Sequence, residues 1–198
     1  MITRRSFLAV MLALTAPVTA THAATAPTAS ASTAAIAAAS PASPPMSRDK
    51  VVSILANNRR IVSPNGIDET IKLRIGGIDQ WLSIRGKDRR NPILLFLHGG
   101  PASPAMPEAY TFQTPWEDYF TVVQWDQRGA GRTYRSNTEQ AMAPGMSVDG
   151  MTDDAAQVVQ YLRRHYGKRK IFLLGHSWGS VLGVQLAQRH PDWFYAYI

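Results

Sequence analysis

Four apolar residues, Ile171-Phe172-Leu173-Leu174, run without a break into Gly175-His176-Ser177-Trp178-Gly179, and a helical pattern starts directly behind them. The short apolar run reads as a buried strand. A chain that passes from strand to helix within so few residues must make a tight turn, and Ser177 stands at its apex. Bulky neighbours two positions away would crowd such a turn; Gly175 and Gly179 relieve this, and Ser180 keeps the next position small. The turn lifts the Ser177 hydroxyl clear of the sheet. It also aims the helix N-terminus and the Trp178 backbone N–H at the point where a tetrahedral oxyanion would form. The competing account is a serine that only caps a helix, a position serine favours.

The surrounding pattern agrees with an elbow at the end of a strand. Ile71, Leu73 and Ile75 alternate before Gly76-Gly77, and Trp81, Leu82 and Ile84 follow, which reads as two strands about a turn within 69–86. Ile93–Leu97 is apolar throughout and suits a central strand covered on both faces, in a parallel or mixed sheet. A short helix is expected within 102–118 and a buried strand over 120–125, followed by a polar loop to about Ser147. Positions 151, 155, 158, 159 and 162 share one helical face; acidic residues crowd its start and basic ones its end, and Gly167 stops it. A helix from the elbow to His190, closed by Pro191, and a strand from Phe194 complete the series. Strands alternating with crossover helices define an α/β architecture with a mostly parallel sheet.

A second glycine-rich turn, His98-Gly99-Gly100-Pro101, leaves the neighbouring strand. Paired glycines let backbone N–H groups approach a reacting carbonyl. Gly100 is the expected second oxyanion donor, with Gly99 as the fallback. His98 and His176 are expected to brace the loops that contain them.

These two motifs and Trp125-Asp126-Gln127-Arg128-Gly129-Ala130-Gly131 together resemble the α/β-hydrolases, and specifically their proline iminopeptidase branch. The resemblance implies Ser177 as nucleophile, the N–H groups of Gly100 and Trp178 as oxyanion hole, and Asp126, Gln127, Arg128 and Gly129 as a structural loop beside the site, with Arg128 held by internal hydrogen bonds. Two departures stand out. Ala102 occupies a position where the family usually has a further glycine, and His176 stands where the closest peptidases have a small residue.

A serine hydroxyl needs a base held by an orienting group. In the superfamily an Asp and then a His follow the serine in the chain. After Ser177 only Asp192 and His190 are available. At roughly 1.5 Å per helical residue, His190 lies about 18 Å from the elbow, beyond proton transfer. His165 and His22 have no better placement. The triad Asp and His are therefore absent from this stretch. Residues 46–198 are expected to form the N-terminal portion of an α/β-hydrolase domain, truncated after the nucleophile helix and the start of the next strand, and to be inactive alone.

The first 45 residues are a different polymer. Arg4 and Arg5 are the only charged residues before Arg48. They precede an apolar run, Ser6 to Ala16, which is too short for the roughly 20 residues of a bilayer span, and then small-residue cleavage patterns. Residues 1–23 read as an export signal of twin-arginine type. Residues 24–45, almost wholly Ala, Ser, Thr and Pro, read as a disordered tether. The expected destination is the periplasm or the exterior, reached through the export machinery; translation from Met46 would leave the protein cytoplasmic.

With no cysteine, disulfides and thiolate chemistry are excluded. No two histidines share a ligand spacing on one element, so no metal or other cofactor is expected. The net charge of +7 comes without a recognised nucleic-acid module, and Arg85, Lys87, Arg89, Arg90 and Lys168–Lys170 read as solvated edges. The leading expectation is an aminopeptidase releasing N-terminal proline or a similar residue from a small peptide through an acyl-enzyme. The alternatives are a carboxylesterase or other acyl hydrolase, and a non-catalytic binding domain if the chain is complete.

Overall fold

The computed structural model describes residues 45–198, so the export signal read at 1–23 and nearly all of the tether read at 24–45 lie outside the described residues. One six-stranded sheet carries the architecture, in the order β1-β2-β4-β3-β5-β6. Strands β1 (Ile67–Ile75) and β2 (Ile78–Gly86) form the expected hairpin, with Ile75 opposite Ile78 across Gly76-Gly77. Both glycines have positive φ (53° and 78°), as a two-residue hairpin turn whose twist matches the strands requires. Strand β2 pairs antiparallel with β4 (Thr121–Asp126), and β4, β3 (Ile93–Leu97), β5 (Ile171–Gly175) and β6 (Phe194–Tyr197) are mutually parallel.

All five residues of β3 are buried, because the strand is covered on both faces. On one face lie α4 (Val148–His165) and α5 (Trp178–Arg189), whose Val158, Val159, Leu162, Leu182 and Leu186 join Leu95, Leu97, Val123, Trp125 and Leu173 in the main core. Each fully buried aliphatic side chain here contributes about 1.5–3 kcal/mol. On the other face, Phe96 meets Phe112 and Phe112 meets Trp116, with ring centroids 5.8 and 5.4 Å apart.

Several local expectations change. The segment 102–118 holds no α-helix; it makes two short 3-10 turns, Ala109–Thr111 and Thr114–Asp118, because Pro104, Pro107 and Pro115 interrupt any longer ladder. The stretch read as a polar loop contains α2 (Gly131–Arg135) and α3 (Glu139–Met142). Helix α4 begins at Val148, three residues before its apolar stripe, because the Ser147 hydroxyl accepts the Gly150 N–H at 3.0 Å. Helix α1 (Arg48–Asn58) buries no residue, which is why no apolar stripe announced it; Ser47 caps it.

Arg85 is buried rather than solvated. It pairs with Asp68 and, through Nε, with Glu117 at 3.0 Å; Gln113 donates to the same carboxylate oxygen at 2.8 Å and accepts from Gln124 at 3.0 Å. This chain of bonds pins the 3-10 segment onto the sheet.

Candidate active site

The turn between β5 and α5 is held from both sides. The Gly175 N–H donates to the Ile198 carbonyl at 2.9 Å and the His176 N–H to the Leu97 carbonyl at 3.0 Å, while Tyr197 OH donates to the Ser180 carbonyl at 3.0 Å. Gly179 packs so closely on β3 that an added Cβ would lie 2.6 Å from the Leu97 carbonyl carbon and 2.9 Å from the His98 oxygen. Ser177 is forced to φ 53°, ψ −118°, the only non-glycine residue with positive φ among the described residues. Such a conformation costs about 1–3 kcal/mol and persists only where the surroundings impose it. Although Ser177 stands at the N-cap of α5, its hydroxyl makes no capping bond, unlike Ser47, Thr138 and Ser147 at α1, α3 and α4. The capping account of this serine is thereby removed. Trp178 is the first residue of α5, so its N–H belongs to the unpaired first turn.

The His98-Gly99-Gly100-Pro101 turn sits against this elbow. A Cβ on Gly99 would lie 3.1 Å from Ser177 Cβ and 3.2 Å from His176 Nδ1. Gly100 adopts φ 112°, where an added Cβ would also collide with the Ala102 and Ser103 backbone nitrogens; Pro101 follows in an exposed turn. Ala102 has no positive φ, so the departure from the family pattern at that position carries no backbone strain.

His98 is buried, and both of its ring nitrogens are engaged. Nε2 accepts the Gln127 N–H at 3.2 Å, leaving Nδ1 to donate to the Gly99 carbonyl at 2.7 Å. Gln127 Nε2 returns a bond to the His98 carbonyl at 3.0 Å. Burial holds the imidazole below its ordinary pKa, against smaller opposing effects from Gly99 and Asp126. Both ring nitrogens thus tie His98 to its own loop and to Gln127, and neither is free to act as a base. Asp126 is also buried, and burial pushes its carboxyl up despite the bond it accepts from the Arg132 N–H at 2.7 Å. Gly129 turns the chain at φ 81°.

Arg128 is held by internal bonds: to both oxygens of Asp154 at 2.8 and 3.1 Å, to the Met142 carbonyl at 3.1 Å and to the Gly76 carbonyl at 2.8 Å. Gln80 extends the network by donating to Asp154 at 2.8 Å and accepting from Trp125 Nε1 at 2.8 Å. In the sequence Asp154 stands with Asp149 and Asp153 as a helix-start charge; that it alone is buried depends on the facing hairpin.

A cleft of about 530 Å³ opens at the elbow, lined by Ser177, His176, His98, Gly99 and Gly100 on one side. Phe96, Ala105, Phe112 and Trp116 form its apolar wall, and Glu108 is the one carboxylate that lines it among the described residues. Ala105, Phe112 and Trp116 had no sequence signal, because Pro104, Pro107 and Pro115 hide any period in that segment. His165 stacks on Tyr161 and His190 on Trp193, at the far end of α5. Among the described residues, no group of three His, Asp or Glu side chains is placed to hold a metal ion, and no helix is long and apolar enough to cross a membrane.

A strained serine between strand and helix, at the carboxyl end of the parallel strands of a mixed sheet and facing a glycine-rich turn, defines an α/β hydrolase. The chain belongs to that family: the model described as alpha/beta hydrolase fold matches residues 92–195. Within it the chain is related to the proline-iminopeptidase-like serine hydrolases. It is 44% identical over 126 residues to the probable aminopeptidase YbaC of Bacillus subtilis (strain 168), covering 64% of this chain and 39% of that protein. It is 36% identical over 99 residues to a proline iminopeptidase of Neisseria gonorrhoeae, covering 50% of this chain and 29% of the relative. Among solved structures, a proline iminopeptidase-related protein from Thermus thermophilus superposes with a TM-score of 0.53 at 27% identity, over 64% of this chain and 42% of that one. An epoxide hydrolase from Vigna radiata shares the fold alone, at 23% identity. The chain thus spans well under half the length of these relatives.

Proposed function

We propose that the protein is a serine hydrolase acting on peptides or related amides with an N-terminal proline or similar small residue. The observation that carries this reading is Ser177, held at a conformational cost with its hydroxyl uncommitted and open to the cleft. In this scheme Ser177 Oγ bonds to the substrate carbonyl carbon as its proton passes to a base. The N–H groups of Gly100 and Trp178 receive the oxyanion, and the amine leaves with that proton. Water then breaks the resulting ester and restores Ser177. No hydrogen bond joins Ser177 Oγ to His98, His165, His176 or His190, so the base in this reading comes from elsewhere in the protein. Residues 1–23 act, in the same proposal, as a cleaved twin-arginine export signal.

The aminopeptidase reading is supported by the names of the relatives and by Glu108, whose carboxylate suits a substrate ammonium. The apolar wall of Phe96, Phe112 and Trp116 favours a second reading, a carboxylesterase. The test is turnover by the full-length protein of a prolyl arylamide, the same arylamide with its amine acylated, and a simple acyl ester. The first reading expects only the free-amine substrate to be turned over well, with loss of about 10⁴-fold or more in Ser177→Ala. Equal turnover of the simple ester selects the second. Turnover that survives Ser177→Ala sinks both.

A further inference from the structure

Two basic stretches far apart in sequence converge at one end of the sheet. Arg89 and Arg90 lie in the connection entering β3, and Lys168, Arg169 and Lys170 in the connection entering β5, a strand directly paired to β3. Lys168 Nζ donates to the Arg90 carbonyl at 2.8 Å, and Arg163 Nε to the Arg169 carbonyl at 2.8 Å, which fixes the two connections side by side. Ser177 follows the opposite, carboxyl end of β5.

Most carboxylates near this end are in ion pairs, Asp68 and Glu117 with Arg85, Asp88 with Arg90 and Asp118 with Lys87, while Glu69 only accepts the neutral Tyr166 hydroxyl at 3.3 Å. Among the described residues the two acids there without an ion pair are Glu69, which lines a surface hollow with Arg89, Arg90 and Lys168, and Asp192, ahead of β6. Arg89, Arg164, Lys168, Arg169 and Lys170 likewise form no ion pair among the described residues. Five cations without an ion pair, against two unpaired acids, leave this rim an excess of positive charge whose self-repulsion a nearby sheet of negative charge would relieve.

We propose that this rim docks the protein on a membrane surface bearing anionic phospholipid headgroups. The cations sit on the connections at one end of a sheet, an array that meets many headgroups at once rather than a groove that tracks a nucleic-acid strand. Docking through these cations is electrostatic and reversed by salt. Because Ser177 lies at the other end of the sheet, the docked protein keeps its cleft open to solution.

The experiment is co-sedimentation of the full-length protein with vesicles of phosphatidylcholine alone or mixed with phosphatidylglycerol, at low and high salt. Binding is expected only to the mixed vesicles and is expected to vanish in high salt. The double variant Arg169→Glu, Lys170→Glu is expected to bind about tenfold or more weakly, given the contribution of each basic residue near an anionic surface. A charge-matched control, Arg74→Glu with Arg135→Glu, is placed away from the rim and is expected to bind as the parent does. Equal weakening by both doubles would show net charge alone at work and overturn the proposal, as would absence of binding at low salt or tighter binding to RNA than to the vesicles.

Discussion

Arg128 and Asp154 form a buried bidentate pair, each about 2% exposed, linking the loop after β4 to helix α4. Removing one partner leaves an uncompensated charge in the interior. Asp154→Ala is therefore expected to destabilise the fold by about 3–5 kcal/mol, read by denaturant unfolding. A loss comparable to that of an exposed pair, such as Arg74 with Asp79, would show that water reaches the guanidinium.

Close approach and backbone conformation make separable demands on glycine. Gly179→Ala drives a Cβ into the Leu97–His98 backbone, with no flexible side chain to yield. A Cβ at Gly77 meets nothing within 4 Å, but φ is 78°. Gly77→Ala is expected to cost about 1 kcal/mol. Gly179→Ala is expected to cost distinctly more and to displace the elbow, a ranking that thermal unfolding of the two variants checks.

Strain at Ser177 implies a trade between stability and chemistry. Glycine tolerates φ 53° and removes the penalty, so Ser177→Gly is expected to raise stability by about 1 kcal/mol while abolishing activity. A destabilised Ser177→Gly protein would mean that the hydroxyl supports the fold.

The pH response of His98 has a definite sign. Burial lowers its pKa, so as pH falls the unfolded chain protonates first and binds more protons. Its contribution to stability is whole above about pH 6.5 and is lost as pH drops below that value toward the folded pKa. Asp126, raised by burial, runs the other way: its contribution is whole below about pH 3.9 and is lost as pH rises through the folded value. Stability measured from about pH 7.5 down to about 5.5 (roughly one unit each side of an unperturbed histidine) is expected to fall more steeply in the parent than in His98→Asn. Equal slopes would contradict the assignment.

Much of the fold was legible because its signals were local. Ile93–Leu97 and Ile171–Leu174 are unbroken apolar runs, Gly76-Gly77 permits one kind of turn, and the elbow concentrates glycine on both sides of a serine. What escaped was set by distant partners or masked by proline. Arg85 looked like part of a charged turn until Asp68 and Glu117 closed on it. Asp154 was one of several acids on α4 until Arg128 reached it. The 3-10 segment that walls the cleft has no period to read, and α1, with no buried face, has none to show. The capping reading of Ser177 was settled only by its hydroxyl, which bonds to nothing in the first turn of α5.

The central claim is that Ser177 is an activated nucleophile, and labelling of the full-length protein by a fluorophosphonate, followed by peptide mass analysis, tests it most directly. The account predicts one covalent adduct on the peptide carrying Gly175-His176-Ser177-Trp178-Gly179, absent in Ser177→Ala and suppressed by substrate. An unlabelled protein, or an adduct that persists in Ser177→Ala, would contradict it.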